Sequence, residues 1–204
     1  MQPVSVDKIA YYPRDRKPNI MNLKNTATQY GTITKFFHWA IVLLFLIQFV
    51  VAATMIWARN VPSVPDASKF EMITWHKSMG LLVLMLAIAR FAWRQVNRYP
   101  SWPAGMKEWE KATFSFIERG LYLVLFVMPT SGLLVSVASG HEVAFFSLFQ
   151  IPGFAKPDMF LTAVGWFLHR AASYAIIGLV TLHVGTVLRR HIFEKDGYLK
   201  RMLP

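Results

Sequence analysis

Four stretches of the chain are apolar for long enough to matter, and polar, basic segments separate them. Phe36 to Ala58 contains no charged residue. About 20 apolar residues cross the hydrocarbon of a bilayer, so this run predicts a first transmembrane helix over 36–58. Trp39 and Trp57 stand near its two ends, where interfacial aromatics belong. The second stretch, 71–93, is weaker, because Lys77 and Arg90 shorten its uncharged core to twelve residues. Both charges lie near helix ends, from which long side chains reach the interface. A third span is predicted over 112–139, with Pro129 and Gly132 near its middle predicting a kink. The fourth, 159–190, has an uncharged core from Ala171 to Leu188. The apolar segment Gly140–Asp158 is too short and too broken to span, and is expected to lie on the membrane surface or to cap a site.

The pattern predicts an all-α, membrane-embedded four-helix bundle. Residues 1–30 read as a basic N-terminal arm, partly disordered, and 31–204 as the bundle domain. The first 35 residues hold no apolar core of signal-peptide length.

Composition agrees. Of 204 residues 54 % are hydrophobic and only 16 % charged, against about 25 % charge in soluble domains. The formal net charge is +11. A basic chain suggests nucleic acid, but here the positive residues follow the helix ends. The N-terminus, the central loop and the C-terminal tail hold seventeen Lys and Arg, against five on the other side. That bias predicts cytoplasmic N- and C-termini and accounts for the charge without nucleic acid.

The chain has no cysteine. Disulfides, iron–sulfur clusters, thiolate zinc sites and covalently attached haem are therefore excluded. There is also no Gly-rich nucleotide loop, no HExxH and no Ser/His/Asp arrangement.

The candidate chemistry lies in the histidines, since an ionisable residue inside a membrane is costly. His169 and His183 share the fourth helix fourteen residues apart, just under four turns, so they face nearly one side about 21 Å apart. The topology puts His38 at the depth of His183, near the cytoplasmic side, and His76 at the depth of His169, near the outer side. Two matched pairs on different helices suit two irons, each clamped from both faces by bis-His ligation. Zinc fits less well, because it wants four ligands in one cluster. His141, in the outer loop, and His191, in the basic tail, lack partners at matched depth. Arg59, Lys77 and Arg170 lie at the outer face as candidate propionate partners or anion-steering charges. Small residues Ala171, Ala172, Ala175, Gly178, Gly185 and Gly80 flank the candidate ligands and suit close packing.

Several motifs carry a resemblance. His38–Trp39 opens the first span. Trp75–Gly80, reading Trp-His-Lys-Ser-x-Gly, opens the second, and Ala-Arg-Phe-Ala-Trp-Arg closes it. Leu168–Arg170 and Leu182–Val184 lie on the fourth, and the tail runs His-Ile-Phe-Glu-Lys-Asp-Gly-Tyr-Leu-Lys-Arg-Met-Leu. Over about residues 23–204 the chain resembles the bacterial cytochrome b561 family of small di-haem b-type membrane cytochromes. The resemblance implies a multi-pass protein of the bacterial inner membrane with two non-covalent haem b groups, His76/His169 on the periplasmic one and His38/His183 on the cytoplasmic one. It implies electron transport between a periplasmic one-electron donor, a small anion or a redox protein, and membrane quinone. One branch of the family is a superoxide:ubiquinone oxidoreductase, so ubiquinone is the expected electron partner. Two rival functions are a membrane cytochrome subunit of a larger dehydrogenase or hydrogenase, and a non-redox metal-binding or transport protein.

Overall fold

The computed structural model describes residues 22–203. The expected disorder of the arm falls largely on residues 1–21, outside the described residues. The described residues form four long helices: α1 (Thr32–Arg59), α2 (Asp66–Gln95), α3 (Glu108–Ala138) and α4 (Met159–Arg189). All four are long and apolar enough to cross a membrane.

The helices begin up to five residues before the apolar runs, because polar residues make good helix starts. Asn25 Oδ1 accepts from the Gly31 N–H and the Thr34 hydroxyl, both at 2.8 Å, ahead of the first turn of α1. Asp66 is the first residue of α2. Glu110 accepts from the Lys107 N–H at 3.0 Å at the start of α3. Asp158 caps α4 through the Leu161 N–H at 2.9 Å. None of these signals is hydrophobic, so the apolar runs do not reveal them.

The helices run up, down, up, down. One end, here the tail end, gathers the start of α1, the end of α2, the start of α3 and the end of α4. Residues 22–30 belong to it, since Asn25 also bonds Asn97 and Arg98 after α2. The C-terminal tail closes it: Trp39 donates to the Met202 carbonyl at 2.9 Å, and Arg201 to the Ser101 carbonyl at 2.7 Å. Helix α4 finishes in a π-turn, Arg190–Glu194.

The other end carries a feature the apolar pattern does not predict. Within 140–158 the chain makes an antiparallel hairpin, β1 (Val143–Phe145) and β2 (Phe149–Ile151), with Phe145 opposite Phe149. Gly140, at φ +82°, ends α3, and Gly153 packs so closely on Gly140 that a Cβ would fall 2.3 Å from its carbonyl carbon. The hairpin docks on α2. Ser78, 1 % exposed, donates to the Ala144 carbonyl at 2.8 Å and accepts from the Phe146 N–H at 3.1 Å. Val143, Phe145 and Leu81 form a small core beneath it.

The protein core is thin. A cluster of Ile41, Val83, Ala87 and Leu125 joins α1, α2 and α3, while Phe36, Leu43, Leu46, Val50, Phe116, Leu123 and Phe167 point outward. In water so much exposed apolar surface would drive aggregation; in a bilayer it meets lipid. Helices α3 and α4 pack most extensively. A Cβ on Gly165 would come 2.9 Å from Val135 Cγ2 and 3.0 Å from its backbone nitrogen, so only glycine allows that approach.

Candidate haem sites at two levels of the bundle

The four histidines meet as two pairs. The His38 and His183 ring centroids are 6.2 Å apart at the tail end, across α1 and α4. Those of His76 and His169 are also 6.2 Å apart, at the hairpin end, across α2 and α4. A tryptophan flanks one ring of each pair edge-on: Trp39 against His38 at 5.4 Å and Trp166 against His169 at 6.5 Å.

The pairs differ in their supports. His169 Nδ1 lies 2.9 Å from the Met128 carbonyl and 3.3 Å from Ser131 Oγ. A carbonyl only accepts, so Nδ1 carries the proton and Nε2 keeps a free lone pair for a metal. Room for this ring comes from Gly132, where a Cβ would stand 3.1 Å from His169 Cε1 and 3.2 Å from Nδ1. The Pro129–Gly132 segment that suggests a kink therefore also cradles His169, and α3 continues through Pro129 as helix.

At the tail-end pair the neighbour is a cation. Arg90, half-buried on α2, is close enough for its charge to be felt at both His38 and His183. Its Nε donates to the Tyr122 hydroxyl at 3.3 Å, and its guanidinium lies over the Tyr122 ring. Among the described residues no carboxylate comes within ion-pair distance of it. The sequence offers Arg90 only as a charge that shortens an apolar run; its place on Tyr122, near the tail-end pair, comes from the packing of α2 on α3.

The proposed outer-face cations split. Lys77 donates to the Glu142 carbonyl at 3.3 Å, tying α2 to the hairpin, while Arg59 and Arg170 stand exposed. His141 is exposed and bonds Ser139 Oγ through Nδ1 at 3.0 Å, and His191 is exposed on the π-turn. A Cβ at Gly178 or Gly185 would touch nothing within 4 Å, so these glycines do not mark helix contacts; Gly132 and Gly165 do.

The prokaryotic cytochrome b561 family model matches residues 29–204. The chain belongs to the prokaryotic cytochrome b561 family. A curated relative, "Cytochrome b561 homolog 2" of Escherichia coli (strain K12), is 28 % identical over 183 residues, covering 90 % of this chain and 95 % of that protein. As a b561 cytochrome the chain is a multi-pass membrane protein that binds haem b and transfers electrons.

The donor set fits that group. Two imidazoles sharing one iron need about 2 Å per metal–nitrogen bond and roughly 1 Å from each nitrogen to its ring centre, close to 6 Å in all. Both pairs have that separation. Among the described residues no cluster of three or more His, Asp or Glu forms an alternative metal site.

Proposed function

We propose that this b561 cytochrome carries single electrons from a periplasmic donor to membrane quinone in the bacterial inner membrane, through two haem b groups held by His76/His169 and His38/His183. The observation that carries the reading is the pair of equal 6.2 Å imidazole separations at two depths. Bound haem b supplies reversible one-electron chemistry at its iron.

The chain's own residues supply position and charge. His76 with His169 and His38 with His183 would each hold one haem iron through two imidazoles, which suits passage of electrons rather than binding of a substrate at the metal. Met128 holds His169 in the tautomer that presents Nε2. A propionate carboxylate of haem bound at the tail-end pair would give Arg90 the anionic partner it lacks among the described residues.

The tail end is assigned to the cytoplasm, because the segments that meet there hold the seventeen-to-five excess of Lys and Arg. His76/His169 is then the periplasmic pair. Arg59 and Arg170, exposed at that end, favour a small anion as donor. Superoxide suits this: each molecule gives up one electron and leaves as dioxygen. Two such electrons with two protons convert quinone to quinol.

The deciding experiment is a reduced-minus-oxidised spectrum with haem quantitation on the detergent-purified chain and four single His→Ala variants. Two haems per chain are expected, with each variant losing about one. A folded, haem-free wild type, or variants that keep both haems, would overturn the reading. Glutamine at Arg59 and Arg170 is expected to slow superoxide-driven haem reduction at low salt; an unchanged rate removes the steering role.

A further inference from the structure

Gln48 is an uncharged polar residue in the middle of the most apolar span, where nothing in the helix itself requires an amide. Its Nε2 donates across to α2, to the backbone carbonyl of His76, at 3.0 Å. Gly80, one turn beyond His76, lies beside the amide: a Cβ there would stand 3.6 Å from Nε2. Gln48 therefore sits against the residue that supplies one half of the hairpin-end pair.

Among the described residues, the buried side-chain polar atoms without a hydrogen-bond partner are Gln48 Oε1 and His76 Nδ1. The two are chemically complementary. Nε2 is the outer tip of an imidazole, and its use on iron leaves the proton on Nδ1, which then needs an acceptor. An amide oxygen is an acceptor only. Leaving both unpaired in a low-dielectric interior is costly, so pairing them removes two penalties at once.

We infer that Gln48 is the positioning residue of His76: its Oε1 accepts from His76 Nδ1–H, directly or through one buried water. It does for His76 what the Met128 carbonyl does for His169. The inference rests on the di-haem reading above and extends it to a residue on α1, a helix that supplies no ligand to this pair. The acceptor strength at position 48 then sets the basicity of one axial ligand. A stronger acceptor gives the ring more imidazolate character, favours ferric iron and lowers the potential; an apolar residue does the opposite.

The test is a potentiometric titration of both haems, with low-temperature electron paramagnetic resonance, on wild type, Gln48→Glu and Gln48→Leu. His38→Ala, which keeps only the hairpin-end haem on the reading above, assigns the waves. Gln48→Glu is expected to lower the potential of the hairpin-end haem and Gln48→Leu to raise it, the other haem staying fixed and the low-spin signal of the first haem shifting. Loss of that haem in Gln48→Leu with retention in Gln48→Glu also supports the acceptor role. Shifts of one sign in both variants, loss of haem in both, or no shift in a two-haem protein overturn it and leave Gln48 a packing residue. A wild type that holds no haem refutes the parent reading instead.

Discussion

The two ends of the bundle present the same ligand spacing on different foundations. At the hairpin end the groups that hydrogen-bond the pair are neutral: the Met128 carbonyl and Ser131 hydroxyl on His169 and the Gln48 amide on the His76 backbone, while the cations Lys77 and Arg170 are respectively bonded to the Glu142 carbonyl and exposed. At the tail end the surroundings are charged. Arg90 lies near the pair, bonded to Tyr122, and at the same end a cluster joins three elements: Arg189 and Arg190 each reach Glu110 at 3.0 Å, and Arg190 also binds Asp196. Neutral acceptors on the imidazoles that would hold a haem favour its oxidised, more positive iron, whereas a nearby guanidinium would favour the reduced one. On the proposed two-haem reading, the hairpin-end haem is expected to have the lower potential and the tail-end haem the higher.

The strongest way to break the comparison is steric. Gly132→Val fills the space His169 occupies, so haem content is expected to fall from two to about one, with the tail-end haem intact by spectrum. Retention of both haems would show that Gly132 is not a cradle. Next, Arg90→Gln removes the cation from the tail-end pair. The potential of that haem is expected to drop, narrowing the gap to the other, in a redox titration that leaves the hairpin-end wave in place.

Ser78→Ala sharpens the structural side. It strips two part-buried hairpin backbone groups of their partner and is expected to cost about 1 kcal/mol, read as faster amide exchange in 143–151 with the tail unaffected.

The smallest effect is pH dependence confined to the tail. Burial pushes the Asp196 carboxyl up, but Arg190 and the Tyr198 N–H outweigh it and hold the carboxyl below its ordinary 3.8. Its contribution is present above that value and is lost as pH falls through the lower folded one. Burial, helped by the Glu118 charge, pushes the Tyr198 phenol up to about 12. Its contribution is present below about 10 and is lost as pH rises towards 12. Proteolysis of the tail is therefore expected to rise at both extremes, while the hairpin, held by hydroxyl and backbone groups, stays protected.

Much of this was legible along the chain. Four apolar runs give four spans, because a bilayer leaves the backbone little choice but helix. The alternating direction of those spans puts His38 with His183 and His76 with His169, since depth follows from counting residues at a fixed rise. Less was legible where polar residues act at a distance. Asn25, Asp66 and Glu110 stand at helix starts that precede the predicted spans, and the hairpin at 143–151 is too short to show a strand period. Gly132 and Pro129 read as a kink, Arg90 as an interruption and Gln48 as nothing at all, although a lone amide in an uncharged span was a signal available to find it.

Sequence by itself determined the elements, their order and the levels of the four histidines, because hydrophobic length and helical rise are one-dimensional quantities. Tertiary structure alone decided which face of each helix meets which neighbour: the approach of α3 to α4 at Gly165, the carbonyl that fixes His169, the amide that reaches the His76 backbone and the guanidinium that meets Tyr122. Those contacts depend on helix rotation and packing distance, and in a bundle so thinly cored small residues and polar side chains set both.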